Sequence, residues 1–263
     1  MRVTFIIPTL MRPELFRTIL SIRNTCPVDY NILVDYRPDM NEYVSREIAS
    51  TQIAVTDRDD IIAFIDDDAY YLPKSIEKAL ECFKDPQVQI IDGSVIGNIL
   101  GTGQSVKFGK DHLGIGTTLF VRAEAFFKVG AFNTQGYGTK PEEGWRMDTI
   151  LLYNVIREYG DNAYRFCVGL DVAHPNPFGS MWNPAIELAF YSLYEKEIEK
   201  HILSTFKDYR LEDIKQNYDE LLHIRTLLTR DEINQTVREN GNRSFDENVM
   251  KALREQITIK TKN

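Results

Sequence analysis

Cysteine is scarce in this chain. Only three occur, Cys26, Cys82 and Cys167, far apart and with no CxxC pair. So sparse a set argues against a disulfide framework or a zinc ribbon and suits a reducing compartment. Long apolar runs are missing as well. The opening MRVTFIIPTLMRP has one early charge, and Pro8 breaks its short apolar stretch. That is too short for a signal peptide or a membrane anchor. Cytoplasmic placement is expected, with peripheral membrane contact left open. Basic residues are outnumbered: 31 Lys and Arg face 39 Asp and Glu, giving a net charge of −8 and a pI of about 5.2. A broad nucleic-acid surface is therefore not expected. An acidic protein that binds an anion must use a metal, single Arg or Lys side chains, or backbone amides.

What is present is enough for a sizeable core. The 263 residues are 43% hydrophobic, which allows one large domain or a domain with an appendage. Val3–Pro8 reads as a buried strand. Arg12–Thr25 reads as a helix with Leu15, Ile19 and Ile22 on one face. Asn31–Val34 is a second strand, Asn41–Val55 a second helix with Val44, Ile48 and Val55 inward, and Ile61–Ile65 a third strand. Such alternation predicts a parallel sheet with helices on both faces. Further on, a helix runs from Pro73 to Phe83, with Ile76, Leu80 and Phe83 inward. Val88–Ile96 and Ile115–Arg122 are strand-like, and Gly97–Gly114 between them reads as a mobile loop over a site. Ala123–Val129 and Met147–Tyr159 are helical, and Arg165–Val168 and Asp171–Ala173 are short extended pieces. Composition shifts near residue 184. No glycine stands between Gly179 and Gly241, and Ala185–Phe206, Leu211–Leu228, Asp231–Glu239 and Asp246–Ile257 read as helices. They would cap the core, dock to a membrane or form a homodimer.

The third strand runs into Asp66, Asp67 and Asp68, in IIAFIDDDAYY. Carboxylates at the end of a buried strand are costly to hold together unless a cation neutralises them. In open α/β sheets that end is also where ligands bind. Oxygen ligation of Mg²⁺ or Mn²⁺ follows, with substrate phosphates completing the shell. The plainer reading is a solvated acidic turn that caps the next helix. Asp148, in PEEGWRMDTILL, opens an apolar helix. Taken alone it is a helix-dipole acid. Trp145, just before it, could stack on a sugar or simply pack. His174, in LDVAHPNP, could ligate a metal through neutral imidazole or be a satisfied, partly buried histidine.

Taken together, these motifs resemble GT-A glycosyltransferases of the large inverting family 2, over roughly residues 2–180. TFIIPTLMRP resembles the family's first strand and nucleotide loop, and YVSREIASTQIAV its helix with a basic residue near the nucleotide. FIDDDAYYLPKSI is similar to its DxD segment. GTTLFVRAEAFFKVGAFN resembles its acceptor-side strand, helix and turn. GWRMDTILL resembles its Trp-Arg-Glu-Asp-Thr-Asp-Leu pattern, and DVAHP its late His.

The resemblance implies a mostly parallel, Rossmann-like central sheet flanked by helices. The core would be 1–183, with a nucleotide-binding half of about 1–97 and an acceptor half of about 98–183, and 184–263 a helical extension. It implies that Thr9 and Arg12 lie at base and ribose, Arg46 faces the nucleotide, and Asp66 and Asp67 hold the ribose and diphosphate region. Asp68 would ligate the metal with His174, and Asp148 would be the general base. Trp145 and Trp182 would contact sugar or acceptor. Asp35 and Tyr36 stand where the family often has two acids, so Tyr36 could replace acid reading of the base by stacking. Met147 and Ile150 also replace family acids, on either side of Asp148.

The implied reaction is metal-dependent transfer of a sugar from a nucleoside-diphosphate donor, UDP or GDP type, to a glycan, lipid-linked or protein hydroxyl. A catalytically degenerate nucleotide-sugar-binding or scaffold protein is the alternative. A haloacid-dehalogenase phosphatase fits less well, because Tyr70 stands four residues after its would-be nucleophile Asp66 and the motif follows the third strand. A nucleotidyltransferase would need a Gly-rich loop after the first strand, and Thr9–Pro13 has no Gly.

Overall fold

The computed structural model describes residues 1–40, 42–53, 60–98, 105–108, 116–132, 147–174, 216–228, 230–240 and 247–262. The chain divides into two compact units, Met1–Ser180 and Met181–Asn263.

The first unit is built on an eight-stranded mixed sheet. Its strands are β1 (Val3–Thr9), β2 (Tyr30–Tyr36), β3 (Ile61–Phe64), β4 (Tyr70–Tyr71), β5 (Ile90–Asn98), β6 (Ser105–Phe108), β7 (Phe120–Arg122) and β8 (Tyr164–Ala173). Their order is β2-β1-β3-β7-β5-β8-β4, with β6 paired to β5 off that path. Among the described residues of this unit are helices α1 (Leu15–Thr25), α2 (Glu42–Ser50), α3 (Ser75–Cys82), α4 (Ala123–Lys128) and α5 (Met147–Tyr159).

The alternation of side chains along each strand assigns the two faces. Val3, Phe5 and Ile7 of β1 and Ile61 and Ala63 of β3 share one buried cluster with Ile22 of α1 and Ile76, Ala79 and Leu80 of α3. Phe5, Tyr71 and Phe120 meet edge to face there, with centroids 5.8–6.2 Å apart. Phe64 belongs to another aromatic group, with Phe132 at 5.0 Å and Phe126 at 5.6 Å, and Tyr43 of α2 joins through Phe132. Burial on both faces is what near-continuous apolar strands demand. The inward residues expected on α3, Ile76, Leu80 and Phe83, are all buried.

The expectation of a mostly parallel sheet needs correction. β1 pairs in parallel with β2 and β3, and β5 with β8. The other four pairings, β3·β7, β4·β8, β5·β6 and β5·β7, are antiparallel. Apolar periodicity reports burial and not strand direction, so the sequence could not show that β7 inserts backwards between β3 and β5. The loop expected over Gly97–Gly114 is corrected in part. β5 continues to Asn98 and β6 pairs back on it, Asn98 opposite Ser105. The alternating Ser-Val-Lys-Phe of β6 is a short edge strand that the surrounding glycines disguise. Residues 99–104 and 109–115 lie outside the described residues. The two extended pieces expected near the end of this unit are one strand, β8, with a register shift opposite Asp92 and Ser94 and with Gly169 at φ +93°.

One arginine was missed as a core residue. Arg122 is 5% exposed. It donates from Nε to the carbonyl of Val88 (2.9 Å) and from Nη2 to that of Phe83 (2.7 Å).

In the second unit α6 (Tyr218–Leu227), α7 (Arg230–Glu239) and α8 (Glu247–Lys262) are described. Leu221, Ile224, Val249, Met250 and Leu253 are buried. Arg254 makes a two-pronged bond to Glu220, at 2.6 and 2.8 Å. The helix expected over 185–206 lies outside the described residues. Among those described, no helix is long and apolar enough to cross a membrane.

The β5–β8 junction makes a test of the fold. A Cβ on Gly93 would lie 2.2 Å from the carbonyl oxygen of Leu170. Backbone cannot give way as a side-chain tip can. Gly93→Ala should therefore destabilise the protein by at least about 1–3 kcal/mol, the usual cost of overpacking. Urea unfolding checks it, and an unchanged midpoint would refute the close approach of these strands.

Candidate functional site

The carboxyl ends of parallel strands β1, β2 and β3 lie side by side, with Thr9 level with Tyr36 across the pair. Three segments close on that edge: the turn after β1, the acidic turn after β3, and the 3-10 turn Gly116–Thr118 before β7.

The acidic turn is fixed from below. Asp67 is 5% exposed. Its Oδ2 accepts from the Thr9 hydroxyl (2.7 Å) and from the Leu10 amide (3.1 Å). The Thr9 hydroxyl accepts in turn from the Met11 amide (2.7 Å), which winds the backbone through φ +60° at Met11. Thr18 of α1, 1% exposed, reaches the backbone carbonyls of Asp67 and Ala69 with its hydroxyl. The Asp66 amide donates to the Thr117 hydroxyl at 3.2 Å. Asp67 thus joins the two loops, while its neighbours on either side turn to His174.

Asp66 and Asp68 converge on His174, which follows β8. His174 Nε2 is 3.2 Å from Asp66 Oδ2 and 3.4 Å from Asp68 Oδ1. One ligand atom from each of these residues falls within 4.8 Å of the others, so the trio could hold a metal ion. Burial drives the Asp66 carboxyl upward, but the bond from His174 and the charge of Arg46 prevail and hold it down at about 2. Asp68 goes the other way: burial and the neighbouring Asp66 raise it against the pull of His174 and Arg12. Burial disfavours the charged form of His174, and the two carboxylates more than reverse that, so its net shift is upward. Arg12 Nη1 lies 3.0 Å from Asp68 Oδ2 and 3.6 Å from Asp67 Oδ1.

Arg46 lies beneath the cluster. It is 1% exposed and is among the largest fully buried side chains. Nη2 pairs with Asp66 Oδ1 and lies 3.9 Å from Glu42. The guanidinium sits over the rings of Tyr43 (5.0 Å) and Phe64 (5.8 Å). Nε and Nη1 find no hydrogen-bond partner among the described residues. Burial lowers its affinity for a proton, but Glu42, Asp66, Tyr43 and Asp148 together raise it further.

Asp148 comes to the same place. Its Oδ2 accepts from the Gly116 amide (2.9 Å) and its Oδ1 from the Thr149 amide (2.7 Å). A Cβ on Gly116 would lie 2.9 Å from Arg46 Nη1, 3.1 Å from the Tyr43 hydroxyl and 3.3 Å from Asp148 Oδ2. Glycine is thus what lets the acid and the arginine face each other across one residue. Met147 and Ile150 are 1% and 3% exposed, so these two apolar side chains are core residues and do not stand in for acids at the cleft.

Asp35 is 9% exposed and engaged: the Ser45 hydroxyl donates to its Oδ2, and Arg37 Nε is 2.9 Å away. Tyr36 is 58% exposed at the end of edge strand β2. Trp145 and Trp182 lie outside the described residues, as do Glu142 and Glu143. The structure therefore gathers Thr9, Arg12, Arg46, Asp66, Asp67, Asp68, Asp148 and His174. Gly116, Thr117 and Thr18 were not anticipated as part of this cluster. Their only signal was a Gly-Thr-Thr run ahead of a strand and a lone Thr on a helix.

A scan against protein-family models finds no match to this chain, and a search of curated proteins finds none.

Replacing the buried cation provides a test of this arrangement. Arg46→Met would keep the stem and strand Asp66 beside Glu42. Breaking a buried pair on one side typically costs about 3–5 kcal/mol. Asp66 keeps His174 and is partly exposed, so a loss of about 2–3 kcal/mol is expected by chemical denaturation. A loss within about 0.5 kcal/mol, the range of an ordinary surface change, would show that Arg46 does not hold the cluster together.

Proposed function

We propose that this chain is a metal-dependent, inverting glycosyltransferase with a GT-A core. It would move a sugar from a nucleoside-diphosphate donor, UDP or GDP type, to a hydroxyl of a glycan, a lipid-linked sugar or a protein. One observation carries the reading: a metal-competent trio and a half-buried carboxylate flank a single buried arginine at the carboxyl ends of parallel strands. That is where open α/β sheets bind ligands. The resemblance of the motifs to family 2 supports it in the order and spacing of the residues. The three cysteines are free, which accords with a cytoplasmic setting.

The donor set fits a divalent cation. Asp66 and Asp68 offer hard oxygens and His174 a nitrogen, and Arg46 beneath them offers buried N–H groups without partners among the described residues. Carboxylate suits Mg²⁺ and Mn²⁺, and the imidazole shifts the balance toward Mn²⁺. When bound, the ion supplies Lewis-acid charge that offsets the negative charge gathering on the leaving diphosphate. The chain's residues would do the rest. Thr9 and Asp67 hold the acidic turn at the height of the cleft. Tyr36 presents an exposed ring beside it for a nucleobase to stack on. Asp148 takes the proton of the acceptor hydroxyl as that oxygen attacks the far side of the anomeric carbon, and the configuration inverts. The amides of Gly116 and Thr149 orient its two oxygens.

Those two bonds also favour a second reading, in which Asp148 only ties α5 to the 3-10 turn and the protein binds a nucleotide sugar without turning it over. The two readings separate on measurement. UDP, GDP, dTDP and CDP, each with and without Mn²⁺, should give a metal-dependent thermal shift for one nucleotide, and Asp68→Ala should abolish it. With the matching donor, transfer or slow hydrolysis should be seen. Asp148→Asn should cut it by about 10²–10⁴-fold, the usual worth of a general base, while nucleotide binding survives. Full activity in Asp148→Asn would assign the base elsewhere. Binding without any turnover would establish the second reading.

A further inference from the structure

Asp68 has one oxygen already paired with an exposed cation. Its Oδ1 faces His174 at 3.4 Å and its Oδ2 accepts from Arg12 Nη1 at 3.0 Å. The two arginines at this cluster differ sharply in freedom. Arg46 is 1% exposed and cannot leave. The Arg12 side chain is 46% exposed, on the turn that follows β1. An exposed ion pair of this kind is weak and readily exchanged.

We infer that Arg12 is an exchange residue: it neutralises Asp68 while the metal is away, and passes to the diphosphate when the metal arrives. This rests on the reading of the trio as the seat of a metal–diphosphate complex. A divalent ion on Oδ1 and a guanidinium on Oδ2 repel each other and draw on the same carboxylate charge, so the ion weakens the hold of Asp68 on Arg12. The weakened pair frees Arg12 for the diphosphate. The backbone that carries Arg12 is pinned nonetheless. The Leu10 and Met11 amides are bonded to Asp67 and Thr9, and the Arg12 carbonyl accepts from the Leu15 amide at 3.1 Å. Only the side chain can swing, and it remains at the mouth of the site. Its planar fork of N–H donors matches phosphate oxygens and can bond two at once. Metal and diphosphate should therefore bind cooperatively. Metal alone must weaken the Arg12–Asp68 pair without recompense, and diphosphate alone faces three carboxylates.

The test measures Mn²⁺ binding alone and pyrophosphate binding at saturating Mn²⁺, in the full chain, with pyrophosphate as a base-independent probe. Arg12→Ala should bind Mn²⁺ alone about threefold or more tighter, since an exposed pair no longer competes. It should bind pyrophosphate about tenfold or more weaker, having lost a charge-assisted bond. Opposite signs in one variant are not what a merely structural residue gives. Arg12→Lys keeps the charge and should leave Mn²⁺ affinity near the wild-type value. Unchanged or weakened Mn²⁺ binding in Arg12→Ala would overturn the exchange and leave the metal reading standing, and so would Mn²⁺ binding in Arg12→Lys as tight as in Arg12→Ala. A wild-type chain that binds no Mn²⁺ would overturn both.

Discussion

Arg46 places a full positive charge at a position only 1% exposed, in a protein whose net charge is −8. A lone ion there would cost several kcal/mol in desolvation, so everything around it must answer that charge. The surroundings do so unevenly. Asp66 takes one nitrogen, Glu42 stands nearby, and the rings of Tyr43 and Phe64 present their faces. Nε and Nη1 find no acceptor among the described residues. On the proposed reading, an anionic ligand would supply the acceptors that this electrostatically compensated guanidinium lacks among the described residues. The bond from His174 and this charge together hold the Asp66 carboxyl down against burial, and Asp148 stands on the far side of Gly116. Without Arg46, Asp66 and Asp148 would lose the buried cation between them, and the acidic turn would rest on Thr9, Thr117 and His174.

The sheet explains why this arginine can be where it is. Helix α2 lies between edge strand β2 and β3 in the chain, and its burial pattern is not the apolar stripe expected of it. Tyr43, Ser45, Arg46 and Ser50 are buried beside Val44 and Ala49. Ser45 serves Asp35 and Arg46 serves Asp66, so one helix braces the ends of two strands. The antiparallel insertion of β7 matters equally. It carries the Gly116–Thr118 turn to the Asp66 amide, and that turn in turn meets Asp148. Run in parallel, β7 would have presented its carboxyl end there, and the turn that precedes it would lie at the opposite edge of the sheet.

How much of this was legible in the sequence follows from what each signal encodes. Strands β1 and β3 and helices α1, α3 and α5 are announced by apolar spacing, and the structure has them within a few residues of those bounds. Helix α2 was expected to bury Val44, Ile48 and Val55. Val44 is buried, Ile48 is only half-buried, and Val55 lies outside the described residues. The acidic triplet could be seen as unusual because three carboxylates seldom follow a buried strand for nothing. Its internal division of labour could not. Asp67 turns to Thr9 while Asp66 and Asp68 turn to His174, and only three-dimensional placement separates them. Arg122 and Arg46 were equally illegible as core residues. An arginine looks the same in sequence whether it meets water or three carbonyls, and average statistics place it outside.

Charge placement also constrains how such a site can be both stable and usable. Asp66, Asp67 and Asp68 bring three negative charges, and Arg46, Arg12 and His174 bring compensation from three separate segments. Were all three compensating groups as buried as Arg46, the cluster would be permanently neutralised and could not admit a cation. Were all three as exposed as Arg12, the carboxylates would spread apart in solvent and lose their geometry. The observed gradation runs from 1% exposure at Arg46 through 11% at His174 to 46% at Arg12. The inner cation fixes the frame, and the outer one covers the mouth at low cost. That ordering leaves the acidic turn assembled in advance, and the proposed reaction would need preorganisation of this kind to meet developing charge without rearranging.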